Sequence, residues 1–340
     1  MGTQPVVDVR SPGEYAHAHI PGAYSLPLFT DEERKLVGTA YKQQSREAAI
    51  KIGLDFFGAK MRSMVETVEG ILAGNTVASA ADEAKSVVVH CWRGGMRSAG
   101  VAWLLDLYGF EVYTIAGGYK AFRNWALGQF EKEYAINILG GYTGSGKTAM
   151  LQELMRKGQP VIDLEGLASH KGSAFGGIGM PPQPRPEMFE NLLALELWRN
   201  EGQPFWMEDE SQRIGVLNIP VSLWKSMRLQ PLFFIEVPFH ERLQYIIQEY
   251  GIIDREKLLL SIERIQKRLG PLETKNAINH LERNEVELCF GILLLYYDKQ
   301  YKKGLHNREN LEPLLNKIPC LTVDSIVNTE NVLLCATANT

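Results

Sequence analysis

Two short stretches of this chain carry residue types that do chemistry. Gly141-Tyr142-Thr143-Gly144-Ser145-Gly146-Lys147-Thr148 satisfies the pattern GxxxxGK[ST]. In such a loop the glycines let successive backbone N–H groups converge on phosphate oxygens. Lysine reaches the terminal phosphates, and the hydroxyl residue is placed to hold Mg²⁺. Gly141, Thr143, Gly144, Ser145 and Gly146 are therefore the expected diphosphate cradle, with Lys147 and Thr148 as its charged and metal-facing members. The second stretch is Cys91-Trp92-Arg93-Gly94-Gly95-Met96-Arg97. Gly94 and Gly95 allow backbone N–H groups to turn inward around one sulfur, while Arg93, Arg97 and a following helix N-terminus add positive potential. Such a setting favours thiolate over thiol and stabilises an anionic persulfide or perselenide. Cys91, Arg93 and Arg97 are the catalytic candidates of this loop. Sulfur or selenium carriage is the favoured reading, and a phosphatase loop of the CxxxxxR type is its competitor. A diphosphate cradle and a chalcogen-carrying cysteine on one chain point to an enzyme that activates a substrate through phosphate chemistry and delivers sulfur or selenium to it.

Acidic partners for a metal belong at the ends of strands neighbouring the phosphate loop. Asp163 follows Val161-Ile162, and Glu208-Asp209-Glu210 follows Phe205-Trp206-Met207. Asp163, Glu208 and Asp209 join Thr148 as candidate ligands, with solvated strand-end acids as the alternative. No NKxD-like guanine signature follows, which argues against a GTPase. His170, Lys171 and Ser173 lie in a glycine-flanked segment that suits phosphate or RNA contact as well as it suits a surface loop. Arg264, Lys267 and Arg268 share a helical face opposite the stripe Leu258, Ile262, Ile265 and Leu269, a candidate for phosphate-backbone contact or a solvated charged face. Tyr296, Tyr297 and Tyr301 suit base stacking, an apolar ligand wall or core packing.

The elements that must position these groups alternate between strand and helix. Val6 to Val9 reads as a buried strand, Asp31 to Leu72 as a helical insertion capped by Asp31, and Val87 to His90 as a strand delivering Cys91 to a helix from Ser98 to Leu107. Glu111 to Ile115 is a further strand, and Tyr119 to Lys132 a closing helix. The pattern restarts near Tyr134 with a strand from Ala135 to Leu139, the phosphate loop, and a helix from Lys147 to Arg156. Strands follow at Pro160 to Leu164, Pro204 to Met207 and Leu232 to Val237, and the last third is mostly helical. Two α/β domains are expected, 1–133 and 134–340.

Composition sets the remaining bounds. The 340 residues are 45% hydrophobic and 22% charged, ordinary for a globular chain. A net charge of −4 carries no global signature of nucleic-acid binding, so an RNA substrate requires a local basic surface. The four cysteines lack paired CxxC spacing, which points to a reducing compartment. With no basic-then-apolar start and no apolar run of membrane-spanning length, a cytoplasmic location away from membranes is expected.

Asp8-Val9-Arg10-Ser11-Pro12, Glu14-Tyr15, His19-Ile20-Pro21-Gly22-Ala23, the Cys91 loop and Gly117-Gly118-Tyr119 together resemble a rhodanese domain. The resemblance extends further. Asp31-Glu32-Glu33-Arg34, Val37-Gly38-Thr39 and Tyr41-Lys42-Gln43-Gln44, then the phosphate loop, the run Asp163 to Gly176, and Glu208-Asp209-Glu210-Ser211 with Ile214-Gly215 are similar to the tRNA 2-selenouridine synthase family. The resemblance implies a rhodanese-like α/β domain followed by a P-loop NTPase-like α/β domain with a helical C-terminal part. It implies conversion of wobble 2-thiouridine to 2-selenouridine in tRNA for Lys, Glu and Gln, in two steps: S-geranylation by geranyl diphosphate, then replacement of the S-geranyl group by selenium from selenophosphate. Cys91 would then carry selenium, the phosphate loop would take the diphosphate with Mg²⁺, and a selenophosphate-producing enzyme would be a partner. An ATP-dependent kinase or sulfurtransferase with an accessory rhodanese domain is the alternative. Met180 to Pro186 departs from the family pattern. The tail beyond about Leu305 matches little of it, so Cys320 and Cys335 are expected to be inert.

Overall fold

The computed structural model describes residues 4–75, 85–250 and 254–338, and the chain divides into two compact units, Met1–Gly128 and Gln129–Thr340. The first unit runs β1 (Val6–Asp8), α1 (Pro12–His17), β2 (Tyr24–Ser25), α2 (Asp31–Gln43), α3 (Arg46–Asn75), β3 (Ser86–His90), α4 (Met96–Tyr108), β4 (Glu111–Thr114) and α5 (Gly118–Gln129). Its strands pair in parallel in the order β2-β1-β3-β4. Val7, Val9, Val87 and Val89 are fully buried in this sheet, as short β-branched strands covered by helices require. Cys91 leaves the carboxyl end of an interior strand, where α/β sheets open their crevices.

The helical insertion is a hairpin of α2 and the 30-residue α3, broken at Gln44-Ser45. Asp31 does not cap it. Thr30 does, its Oγ1 accepting from Glu33 N–H while Glu33 accepts from Thr30 N–H. Asp31 instead accepts the N–H of Gly13.

The second unit runs β5 (Ile136–Gly141), α6 (Lys147–Arg156), β6 (Val161–Ile162), α7 (Leu164–Ala168), α8 (Pro186–Arg199), β7 (Phe205–Glu208), β8 (Arg213–Ile214), β9 (Leu217–Asn218), α9 (Val221–Met227) and β10 (Leu232–Glu236). It continues with α10 (Phe239–Tyr250), α11 (Arg255–Leu269), α12 (Pro271–Glu282), α13 (Val286–His306), α14 (Leu311–Leu314), β11 (Leu315–Pro319) and α15 (Ser325–Ala338). The main sheet is parallel, ordered β11-β10-β5-β7-β6, so the phosphate loop follows the central strand. The antiparallel hairpin β8-β9 and the edge strand β11 are additions that the sequence pattern did not disclose. A separate helical core forms from α10 to α13, where Leu258, Ile262, Ile265 and Leu269 pack with Leu281, Phe290 and Leu293. The tail is therefore structural. β11 extends the sheet, and Val332 of α15 is buried against Met150 and Leu154 of α6. No helix among the described residues is long and apolar enough to cross a membrane.

Candidate functional sites

In the first unit, Cys91 is buried, and its Sγ accepts the N–H of Gly95 at 3.3 Å and lies 3.3 Å from Ser98 Oγ. Burial by itself raises the thiol pKa. The Ser98 hydroxyl and the backbone N–H groups of Ser98, Arg93 and Gly95 outweigh it and hold the group below the ordinary thiol value. Two glycines make this nest possible. Gly94 has φ +64° and Gly118 φ +59°, and a Cβ on Gly118 would stand 2.3 Å from the Cys91 carbonyl oxygen and 2.5 Å from Gly94 N. The loop is tied down from beneath, because Tyr119 N–H donates to Cys91 O and Lys120 N–H to Trp92 O, each at 2.9 Å.

The expected contribution of Arg97 is corrected by its partner. Its guanidinium donates to Glu14 at 2.8 Å, and Glu14 also takes Arg34 at 2.7 Å. Burial opposes ionisation of Glu14, but the two arginines and the Ser11 N–H overcome it and push its pKa down to about 2. Arg97 thus serves the Glu14 pair, and the thiolate's stabilisation comes from Ser98 and the backbone. Arg93 is exposed on the outer rim of the loop. Five residues separate Cys91 from Arg97, so the CxxxxxR spacing does not itself set this loop apart from a phosphatase. The engagement of Arg97 does, since a phosphate cradle needs that guanidinium turned inward.

Beneath the loop lies a buried polar support. Arg10 donates to Asp8 at 2.6 Å and to Ala18 O at 2.7 Å, and its guanidinium lies 3.9 Å from the centre of the Tyr119 ring. His90, fully buried, places Nε2 3.8 Å from Asp8. Burial depresses its pKa, favouring the uncharged ring beside the Asp8–Arg10 pair.

In the second unit the phosphate loop has the required backbone, with φ of +155° at Gly141, +79° at Gly144 and +80° at Gly146. Lys147 Nζ donates to Gly141 O at 2.9 Å, folding its charge over the loop, and Ser145 Oγ donates to Tyr142 O at 2.7 Å. A buried arginine braces the loop from outside. Arg242 donates to Thr143 O at 3.0 Å and grips Asp298 at 2.9 and 2.7 Å. Nothing local in the sequence marks Arg242 or Asp298, because they meet the loop only through the packing of α10 on α13.

The acids that converge beside Thr148 are Glu165, Glu208 and Glu210, each offering an oxygen within 4.8 Å of the others. Thr148 Oγ1 donates to Glu165 at 3.1 Å, and Glu165 N–H donates to Glu208 Oε1 at 2.8 Å. Of the expected ligands, the structure brings Thr148 and Glu208 here but not Asp163 or Asp209. Asp163 is consumed as the N-cap of α7, accepting Gly166 N–H at 2.8 Å. Asp209 accepts from Tyr301 at 2.6 Å and pairs with Arg308. Glu165 escaped the sequence reading because it lies in the first turn of a helix rather than at a strand end.

Burial raises all three pKa values; at Glu165 it outweighs the opposing Lys147 and Thr148, and at Glu208 and Glu210 the Glu165 carboxylate adds to it, taking Glu210 to about 8. Glu208 Oε2 is buried without a hydrogen-bond partner among the described residues. Three hard oxygen donors, one of them orphaned and all disfavoured as anions, together with a Thr148 hydroxyl, fit a divalent cation such as Mg²⁺.

A cavity of about 540 Å³ opens over the loop. Thr143 to Thr148, Lys171, Ser173, Asp209, Glu210 and Arg268 line it, with an aromatic wall of Tyr245, Tyr250, Tyr296, Tyr297 and Tyr301. Lys171 reaches it while paired with Glu249 at 3.1 Å. His170, Arg264 and Lys267 are not among the lining residues. His170 is partly buried with burial lowering its pKa, and the other two are exposed on α11. In the divergent proline-rich segment, Gln183 ties Ala168 O and Ile214 O together at 3.1 Å each, so the segment anchors the β8-β9 hairpin.

Comparison with known proteins agrees with both loops. Residues 134–315 match the model of the tRNA 2-selenouridine synthase AAA domain, and residues 1–124 match the rhodanese-like domain. The chain belongs to the tRNA 2-selenouridine synthase family. It is 36% identical over 333 residues to the tRNA 2-selenouridine synthase of Pseudomonas putida, covering 87% of this chain and 88% of that one. The same-named protein of Sulfurovum is 34% identical, with 88% of each chain covered, and that of Nitrosomonas europaea is 34% identical over 84% of this chain and 73% of its own.

The Cys91 nest gives a direct expectation. Alkylation of Cys91 by iodoacetamide should reach half its maximal rate at a pH below that of an unperturbed thiol, near 8.5. Ser98→Ala should move the midpoint upward, because it deletes the largest of the stabilising hydrogen bonds. An unmoved midpoint would show that Ser98 does not set the thiolate.

Proposed function

We propose that this chain converts wobble 2-thiouridine of tRNA to 2-selenouridine, with the two chemistries divided between the two loops. The observation that supports the division best is a phosphate loop opening into a tyrosine-walled cavity, on a chain that also holds a hydrogen-bonded, depressed-pKa cysteine. In the first step the 2-thio sulfur attacks the allylic carbon of geranyl diphosphate. The S–C bond forms as the C–O bond breaks and diphosphate leaves, and the N3 proton of the base passes to solvent, leaving a neutral S-geranyl base. Backbone N–H groups from Gly144 to Thr148 and the Lys147 ammonium meet the growing negative charge. Tyr245, Tyr296 and Tyr297 supply an apolar wall suited to the hydrocarbon tail. A divalent cation held by Thr148, Glu165, Glu208 and Glu210 would neutralise part of the leaving group's charge. In the second step Cys91 carries selenium as an anionic selanyl adduct: water takes the phosphoryl group of selenophosphate as phosphate, and a disulfide-class oxidant accepts the two electrons released as the S–Se bond forms. The Gly95 and Ser98 donors hold the adduct as they hold the thiolate, its terminal selenium attacks C2 as geranylthiol leaves, and a thiol then reduces the S–Se bond, freeing the 2-seleno base and the Cys91 thiol.

Two outcomes follow. With thiolated tRNA, geranyl diphosphate and selenophosphate, Cys91→Ser should still accumulate S-geranylated nucleoside while losing selenated nucleoside by at least about a hundredfold. Lys147→Ala should lose S-geranylation; mass spectrometry of digested tRNA reads both, and loss of both steps in Cys91→Ser would refute the division. Millimolar Mg²⁺ should raise the melting temperature of the wild-type chain through binding to the native state. Glu208→Gln should abolish that rise, and an undiminished rise would place the cation elsewhere.

A further inference from the structure

Selenium on Cys91 can react only with a base brought against the rim of its loop, so the RNA on either side of that base must lie on whatever surrounds the rim. That statement rests on the functional reading above. On one side the surroundings are specific. Trp92, Arg93, Gly94, Gly95 and Met96 are all exposed, although Cys91 and Ser98 on either side of them are buried. The corner between α2 and α3 is a second fully exposed run, Tyr41-Lys42-Gln43-Gln44-Ser45-Arg46-Glu47. The fold joins the two runs, since Arg46 Nη2 lies 3.7 Å from Met96 Sδ. Tyr41 is 54% exposed, Met96 53% and Trp92 38%, with the Trp92 ring steadied 5.6 Å from Tyr119.

We propose that this corner and rim form the docking surface for the single-stranded loop of the RNA substrate. Charge is complementary. Lys42, Arg46 and Arg93 face a lone carboxylate, Glu47, within the two runs, on a chain whose net charge is −4. The neighbouring Arg34 and Arg97 are both engaged by Glu14. Exposed aromatic faces interleaved with cations are the device by which proteins hold unpaired nucleotides, through stacking plus backbone contact. Unpaired bases also expose the edges that amides such as Gln43 and Gln44 can read. A duplex is excluded as occupant, because its stacked bases would keep C2 away from a sulfur set at the floor of the loop. Tyr41 and Trp92 stack the nucleotides flanking the reacting base, and Lys42, Arg46 and Arg93 take their phosphates. Tyr41 and Arg46 act here as positioning residues.

The test uses the full chain and a synthetic anticodon stem-loop RNA with 2-thiouridine at the wobble position, titrated by fluorescence anisotropy over a range of salt. Tyr41→Ala should weaken binding about tenfold. The double variant Lys42→Gln, Arg46→Gln should weaken it similarly and lower the slope of log affinity against log salt by about 1.4, roughly 0.7 for each lost strand contact. Melting temperature and Cys91 alkylation rate report whether each variant is folded. As a check that needs no substitution, 4-thiouridine next to the wobble position should photo-cross-link the wild-type chain within 41–46 or 92–96. If the wild-type chain converts the RNA while both variants bind with unchanged affinity and slope, or if cross-links fall solely elsewhere, the docking surface is refuted and the functional reading stands. A wild-type chain that neither binds nor converts the RNA refutes both.

Discussion

The structure depends on one constraint: an anion held out of bulk water must be met by donors that are already in place. Both units answer it with the same device. A parallel strand ends, glycines take positive φ, and the backbone N–H groups that would have continued the sheet turn inward at the start of a helix. The chemistry differs only in what occupies the nest. In the first unit it is a sulfur covalently part of the loop; in the second it is a backbone cradle shaped for phosphate, with Lys147 folded over it. Fixed backbone donors are costly to position, and this explains why so much buried polar structure lies behind each loop. Asp8, Arg10 and His90 support one. Arg242, Asp298, Tyr301 and Asp209 brace the other.

Charge placement separates the two sites. Around Cys91 the arginines are diverted, Arg97 and Arg34 to Glu14, so the thiolate depends on short-range donors and the site does not become a general phosphate trap. Around the phosphate loop the imbalance has the opposite sign. Three carboxylates crowd beside Thr148, with Glu208 holding an oxygen that no described residue satisfies. That arrangement is unfavourable by itself and becomes favourable when a cation and an anionic ligand arrive together, which couples occupancy of the cavity to the charge state of its floor.

What the sequence disclosed follows the range of the interactions. Both loops were legible because they are local: a glycine that must adopt φ near +60° to +80°, followed by a helix, leaves its mark within eight residues. The interior strands β3, β5, β7 and β10 were legible as apolar runs bounded by punctuation. Contacts across long separations were not. Glu14 claims Arg97 from 83 residues away, and Arg242 reaches Thr143 from 99. Asp163 looked like a metal ligand from its place at a strand end, yet an N-cap requirement of α7 used its carboxylate, and Glu165 on the helix it caps faces Thr148 instead. Strand β11 escaped notice because Leu315-Asn316-Lys317-Ile318-Pro319 has neither alternation nor a β-branched run; it is a strand only because β10 offers it an edge.

The central claim is that Cys91 alone carries selenium and does so independently of the phosphate loop. Intact-protein and peptide mass spectrometry after exposure to selenophosphate and a small disulfide oxidant, without RNA or geranyl diphosphate, tests it most directly. One added selenium is expected on the peptide containing Cys91, present equally in Lys147→Ala and absent in Cys91→Ser. Selenium on another residue, or an adduct at Cys91 that vanishes when Lys147 is replaced, would contradict it.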